Sequence, residues 1–71
     1  MKIECWNVEK VVEAAKFEDM IEVQMGTTHV KFERFDGIWL VDIENFTFEA
    51  VEINTAITLA VNYVIDNGEL A

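Results

Sequence analysis

Between Ile21 and Ile43 the chain holds two turn signals whose implied strand registers agree, and that agreement constrains the fold more than any other feature. Asp36-Gly37 lies between runs rich in β-branched and aromatic residues, and Asp-Gly is the pair expected in a two-residue type I′ hairpin, where both central residues need positive φ. That loop sets Phe35 against Ile38, Arg34 against Trp39, Phe32 against Val41, Lys31 against Asp42 and Val30 against Ile43. Gly26-Thr27, with glycine first, suits a type II′ loop and sets Val23 against Val30, Glu22 against Lys31 and Ile21 against Phe32. Side chains alternate between faces along a strand, so both loops put Ile21, Val23, Val30, Phe32, Trp39, Val41 and Ile43 on one face, which must be covered. The other face then carries Lys31 between Glu22 and Asp42, an opposite-charge ladder worth about 0.2–1 kcal/mol per pair. Arg34 beside Trp39 is placed for a cation–π contact, or for its stem to shield the indole edge.

Around this meander the pattern is helical. Asn7 is placed to cap a helix in which Val8, Val11, Val12 and Ala15 share a face, with Glu9, Lys10, Glu13 and Lys16 on the wet side and Phe17 as the anchor of its end. Met1 to Trp6 reads either as an edge strand or as a lead into that helix. Asn54 to Asn67 reads as a second helix, with Asn54 as its cap and Gly68 just past its end. The eight residues Phe46 to Ile53 stay open: Phe46 and Phe48 alternate as in a short strand, whereas Phe46, Ala50 and Ile53 continue the helical spacing with Thr47 as cap. The expected fold is therefore α+β, a three-stranded antiparallel meander with a possible extra short strand, packed against two helices in a single compact domain over residues 1–71. Ile57, Val61 and Val64 form the covering stripe of the second helix. Leu59, Tyr63 and Ile65 widen it, and are covered by the first helix or the amino-terminal segment, or else form a homodimer or partner seam.

A 71-residue chain is near the size at which one core barely suffices, which a 52% hydrophobic content offsets. No run approaches a membrane span and the start lacks the pattern of a secretion signal, so a cytoplasmic protein is expected. The single cysteine, Cys5, allows no internal disulfide and reads as a small buried hydrophobe.

Charge is the feature that speaks to function. Residues 1–35 hold seven acids and all five bases, a net of −2; residues 36–71 hold seven acids and no Lys or Arg, a net of −7. Asp42, Glu44, Glu49 and Glu52 fall close together in that second half and read as an acidic rim that binds a partner. Such a field steers a basic partner and repels nucleic acid and anionic membrane; it also serves plain solubility.

Catalysis finds little support. The chain has no serine and a single histidine, His29, which the register places on the exposed face opposite Gln24. Neither a calcium loop nor a glycine-rich phosphate loop occurs, and no metal or cofactor is expected. The protein reads as a non-enzyme: a small acidic inhibitor that occupies a basic surface of a larger partner, such as a nuclease, polymerase or other nucleic-acid-binding protein, by presenting carboxylates where phosphates would lie. In size and charge over the whole chain, without a shared motif, it resembles the phage-encoded host-takeover and anti-defence inhibitors, anti-CRISPR proteins among them. The alternative is an antitoxin, immunity or assembly module that associates through Leu59, Tyr63 and Ile65.

Overall fold

A computed structural model describes residues 1–67. In chain order the elements are β1 (Lys2–Ile3), α1 (Val8–Ala15), β2 (Met20–Met25), β3 (Thr28–Phe35), β4 (Ile38–Ile43), β5 (Phe46–Ala50) and α2 (Ile53–Asp66). The strands form one sheet in the order β1-β2-β3-β4-β5. Both helices pack on its inner face and meet each other there, and the outer face is left to solvent. Gly68 and Glu69, the expected helix stop and one of the acids, lie outside the described residues.

The three-stranded antiparallel meander expected from the sequence is overturned: the sheet has five strands and is mixed. Within it, β2, β3 and β4 keep the expected register, Val23 opposite Val30, Phe32 opposite Val41 and Phe35 opposite Ile38 among the pairs. Gly26 has φ +62, and Asp36 and Gly37 have +53 and +78, the left-handed backbone that the two loops demand. Ile21, Val23, Val30, Phe32, Trp39, Val41 and Ile43 are all buried, each removing apolar surface worth about 1.5–3 kcal/mol.

Two short strands complete the sheet. β1 lies parallel to β2, with Lys2 opposite Glu22 and Ile3 opposite Val23. A parallel neighbour needs a crossover, and Glu4 to Asp19, containing α1, supplies it. The pairing is reinforced by the Met1 ammonium, which donates to the Met20 carbonyl at 3.0 Å. β5 is antiparallel to β4, with Ile43 opposite Phe46 and Val41 opposite Phe48. The turn between them is Glu44-Asn45, where Glu44 takes φ +53. A glutamate in that conformation costs about 1–2 kcal/mol relative to glycine, so this turn carries no sequence signature.

The helices form as local chemistry requires, with corrections at their ends. The Asn7 side chain accepts from the Lys10 amide at 2.8 Å and starts α1. Eight residues are too few to hold a helix alone, and α1 persists because Val11, Ala14 and Ala15 are buried in the common core. Phe17, expected to anchor the end of α1, is 78% exposed, and Cys5, expected inside, is exposed as well. α2 starts at Ile53 with Glu52 as its N-cap residue, not at Asn54, because Phe46–Ala50 is spent on β5. Ala56, Ile57, Ala60 and Val64 are its buried side chains, the alanines allowing close approach to the sheet.

The tie between helix and sheet at the end of α1 is Arg34. Its Nε and Nη2 donate to Asp19 Oδ1 at 3.0 and 2.9 Å, and its Nη1 donates to the Ala15 carbonyl at 3.1 Å. The guanidinium carbon stands 5.0 Å from the centre of the Trp39 ring, so the cation–π contact forms while the same group satisfies the end of α1. One hydroxyl is the converse case: Thr28 Oγ1 is buried with no hydrogen-bond partner among the described residues.

Two outcomes are expected in urea denaturation. Arg34→Ala lowers stability by about 1–2 kcal/mol, and Arg34→Lys, which cannot bridge Asp19 and Ala15 with one planar fork, recovers less than half of it. Thr28→Val leaves stability unchanged or raises it by up to about 1 kcal/mol, since no hydrogen bond is lost.

Candidate functional site

The residues expected to bind a partner lie along the β4–β5 side of the sheet, distributed by strand alternation and by the two ends of the hairpin. Asp42 on β4 and Glu49 on β5 point to the outer face, since their cross-strand partners are Thr47 and Leu40. They are diagonal neighbours, with α-carbons about 7–8 Å apart. Glu44 sits in the turn at one end of the hairpin, and Glu52 precedes α2 at the other. The four therefore follow one margin of the molecule over the length of a strand instead of converging on a point.

Each has different surroundings. Asp42 is engaged: Thr47 Oγ1 donates to its Oδ1 at 2.7 Å and Lys31 Nζ stands 3.7 Å from its Oδ2. Glu44 accepts from the Tyr63 hydroxyl at 3.1 Å. Glu49 and Glu52 make no side-chain hydrogen bond or ion pair with the described residues, and Glu52 does not cap α2 with its side chain although the helix dipole favours an anion there. Glu49 and Glu52 border a shallow depression floored by Ile38, Ala50 and Val51.

An aromatic cluster fixes the Glu44 end. Phe46, Phe48 and Tyr63 stand with ring centres 5.6 to 6.4 Å apart. Partial desolvation is the main cause that raises the Tyr63 phenol above its ordinary 10.0, and the hydrogen bond and negative charge of Glu44 add to it.

The cations lie elsewhere. Lys2 is on β1, Lys10 and Lys16 are on and just past α1, and Lys31 and Arg34 are on β3. Lys16 meets Glu13 at 3.1 Å and Arg34 meets Asp19 at 2.9 Å, so these two bases are neutralised by acids of their own half. Among the described residues Lys31 alone forms an ion pair across to the other half, with Asp42. Thus the described part of the acid-only half folds into β4, β5 and α2, which pack on one another.

The apolar surplus on α2 is arranged differently from a single seam. At about 100° per residue, Ile65 lies about 200° from Tyr63 and about 240° from Leu59, so they flank the buried stripe on opposite sides. Leu59 and Tyr63 are partly buried against the core and Ile65 is 52% exposed. Sequence reasoning missed the exposed apolar surface at the other side of the molecule, where Met1, Val8 and Phe17 border a groove of about 1040 Å³ between β1 and α1. Val8 and Val12 share the expected helix face, yet β1 is too short to close over them.

His29 is exposed on the outer face as its register requires, opposite Gln24, with Nε2 3.3 Å from Glu22 Oε1. Among the described residues no three of His, Cys, Asp and Glu are grouped so as to hold a metal ion, and no helix is long and apolar enough to cross a membrane.

Tyr63 is the only tyrosine, so ultraviolet titration of the phenolate reports it alone. Its midpoint is expected above 10.0, and Glu44→Gln is expected to lower it. Because the folded state holds the proton more tightly than the unfolded chain, the associated stability is complete below pH 10.0 and is lost as pH rises through the native midpoint. A midpoint unmoved by Glu44→Gln would remove the carboxylate from this account.

Compared with known proteins, the chain matches no family model, no curated protein and no solved structure.

Proposed function

We propose that this protein is a small acidic binding protein that occupies a basic surface on a larger partner and, where that surface is a nucleic-acid channel, competes with the nucleic acid for it. The observation that carries the reading is the absence of cations from the half that forms β4, β5 and α2, where Glu49 and Glu52 have no partner among the described residues. Unneutralised carboxylates on a fixed scaffold attract Lys and Arg at long range and pair with them on contact, as backbone phosphates do. Self-repulsion among them is a cost that a marginal 71-residue core would avoid if solubility were their only use.

The alternative, association through α2 as an antitoxin, immunity or assembly module, has less support. It needs Leu59, Tyr63 and Ile65 on one face, whereas these lie on two flanks and the Tyr63 ring packs on Phe46 and Phe48.

The test is capture of a partner from lysate at low and high salt, followed by competition between the captured protein's nucleic acid and this chain. Binding is expected to weaken steeply with salt and to be lost in the Glu49→Lys/Glu52→Lys double variant, whose changes break no internal contact, while Glu9→Lys/Glu13→Lys retains it. Circular dichroism establishes that each variant is folded. Capture indifferent to salt and to both pairs of changes would overturn the reading.

A further inference from the structure

The two margins of the sheet are finished differently. At one margin the outermost strand, β1, is only two residues long and carries Lys2, both of which are ways of blunting an edge against pairing. At the other, β5 is five residues long, has the sequence Phe-Thr-Phe-Glu-Ala, holds neither lysine nor proline, and is paired on its outer side with no described strand. The two-residue turn makes Ile43–Phe46, Val41–Phe48 and Trp39–Ala50 the hydrogen-bonded pairs, so the backbone N–H and C=O groups of Thr47 and Glu49 point away from the sheet. Phe46, 53% exposed, extends the inner face at that margin, and Glu49 extends the outer one.

A second copy fits this edge badly. The two-fold register centred on Phe48 sets Glu49 against Thr47, but it carries Glu44 of each chain toward Glu52 of the other, between proteins of net charge −9. Charge favours a cationic strand instead. Residues of an added strand that lie opposite Thr47 and Glu49 turn their side chains to the outer face, beside the Glu49 carboxylate, and their neighbours turn toward Phe46 and Phe48. The depression floored by Ile38, Ala50 and Val51 suits the aliphatic stem of a Lys or Arg, with its charged end between Glu49 and Glu52.

We infer that β5 is a docking edge for an extended segment of a basic partner in which Lys or Arg alternates with apolar side chains, the segment adding to the sheet as a sixth strand by main-chain hydrogen bonds to Thr47 and Glu49. This rests on the acidic binding role proposed above and gives it a geometry.

The probe is a blocked hexapeptide, Lys-Val-Lys-Val-Lys-Thr, beside the same peptide N-methylated at its lysines, which keeps every charge and removes the N–H groups that would face β5. Binding and amide hydrogen exchange are followed by nuclear magnetic resonance on the intact chain. The unmethylated peptide is expected to bind in a salt-dependent way and to slow exchange at Thr47 and Glu49 by about tenfold at about nine-tenths occupancy, with no such slowing from the methylated one. Equal salt-dependent binding of both peptides without that slowing overturns strand addition and leaves the acidic role standing. Failure of both to bind at low salt overturns both. Protection of the two amides without peptide, in a sample that light scattering finds dimeric, assigns the edge to a second copy and overturns the inference.

Discussion

Side-chain alternation along a strand is the constraint on which the rest of this molecule depends. Three consecutive two-residue loops join β2 to β5, and a loop of that length fixes which residues face each other. One register satisfies all three, so Ile21, Val23, Val30, Phe32, Trp39, Val41 and Ile43 fall together on the face that α1 and α2 cover, while Phe35, Ile38 and Leu40 take the outer one. A slip of one residue at a loop would turn the apolar set of the strand beyond it to the outer face, Val41 and Ile43 for the Asp36-Gly37 loop, for example, with Asp42 brought inward.

The same alternation decides what the outer face offers. Some polar residues on it meet a neighbour, Glu22 beside His29 and Lys31 beside Asp42, whereas Glu49 on β5 meets no cation among the described residues. The charge imbalance of the sequence becomes a spatial one because the chain builds the sheet in order: bases enter with β1, α1 and β3, and β4, β5 and α2 hold none. A binding role on that side thus grows from the order in which the strands are laid down, without any dedicated motif.

The parts of the fold that are legible in the sequence are those whose chemistry is local. Gly26, Asp36-Gly37 and Asn7 announce two loops and a cap, because left-handed backbone and an orphan amide each call for a short list of residues. β5 is undecided in the sequence because its loop uses Glu44, a residue outside that list, and because Phe46, Ala50 and Ile53 also satisfy helical spacing. β1 is ambiguous because two residues are too few to display alternation, and its place is set by the α1 crossover. Of the candidate site, the acids are legible as a sequence cluster. Their spread along a margin is not, since it depends on Phe46–Ala50 being a strand, and neither are the exposed Val8 and Phe17, which depend on how little of α1 the short β1 covers.

The Glu44 backbone has a consequence for how the structure loosens. The other two loops use residues at ease in their conformation, whereas Glu44 is not, and its side chain is tied to α2 by Tyr63, nineteen residues along the chain. When the end of α2 loosens, the turn loses that tie. Loosening of the last turn of α2 is thus transmitted to the β4–β5 turn through a hydrogen bond between residues far apart in the chain, a link that the other two loops do not share.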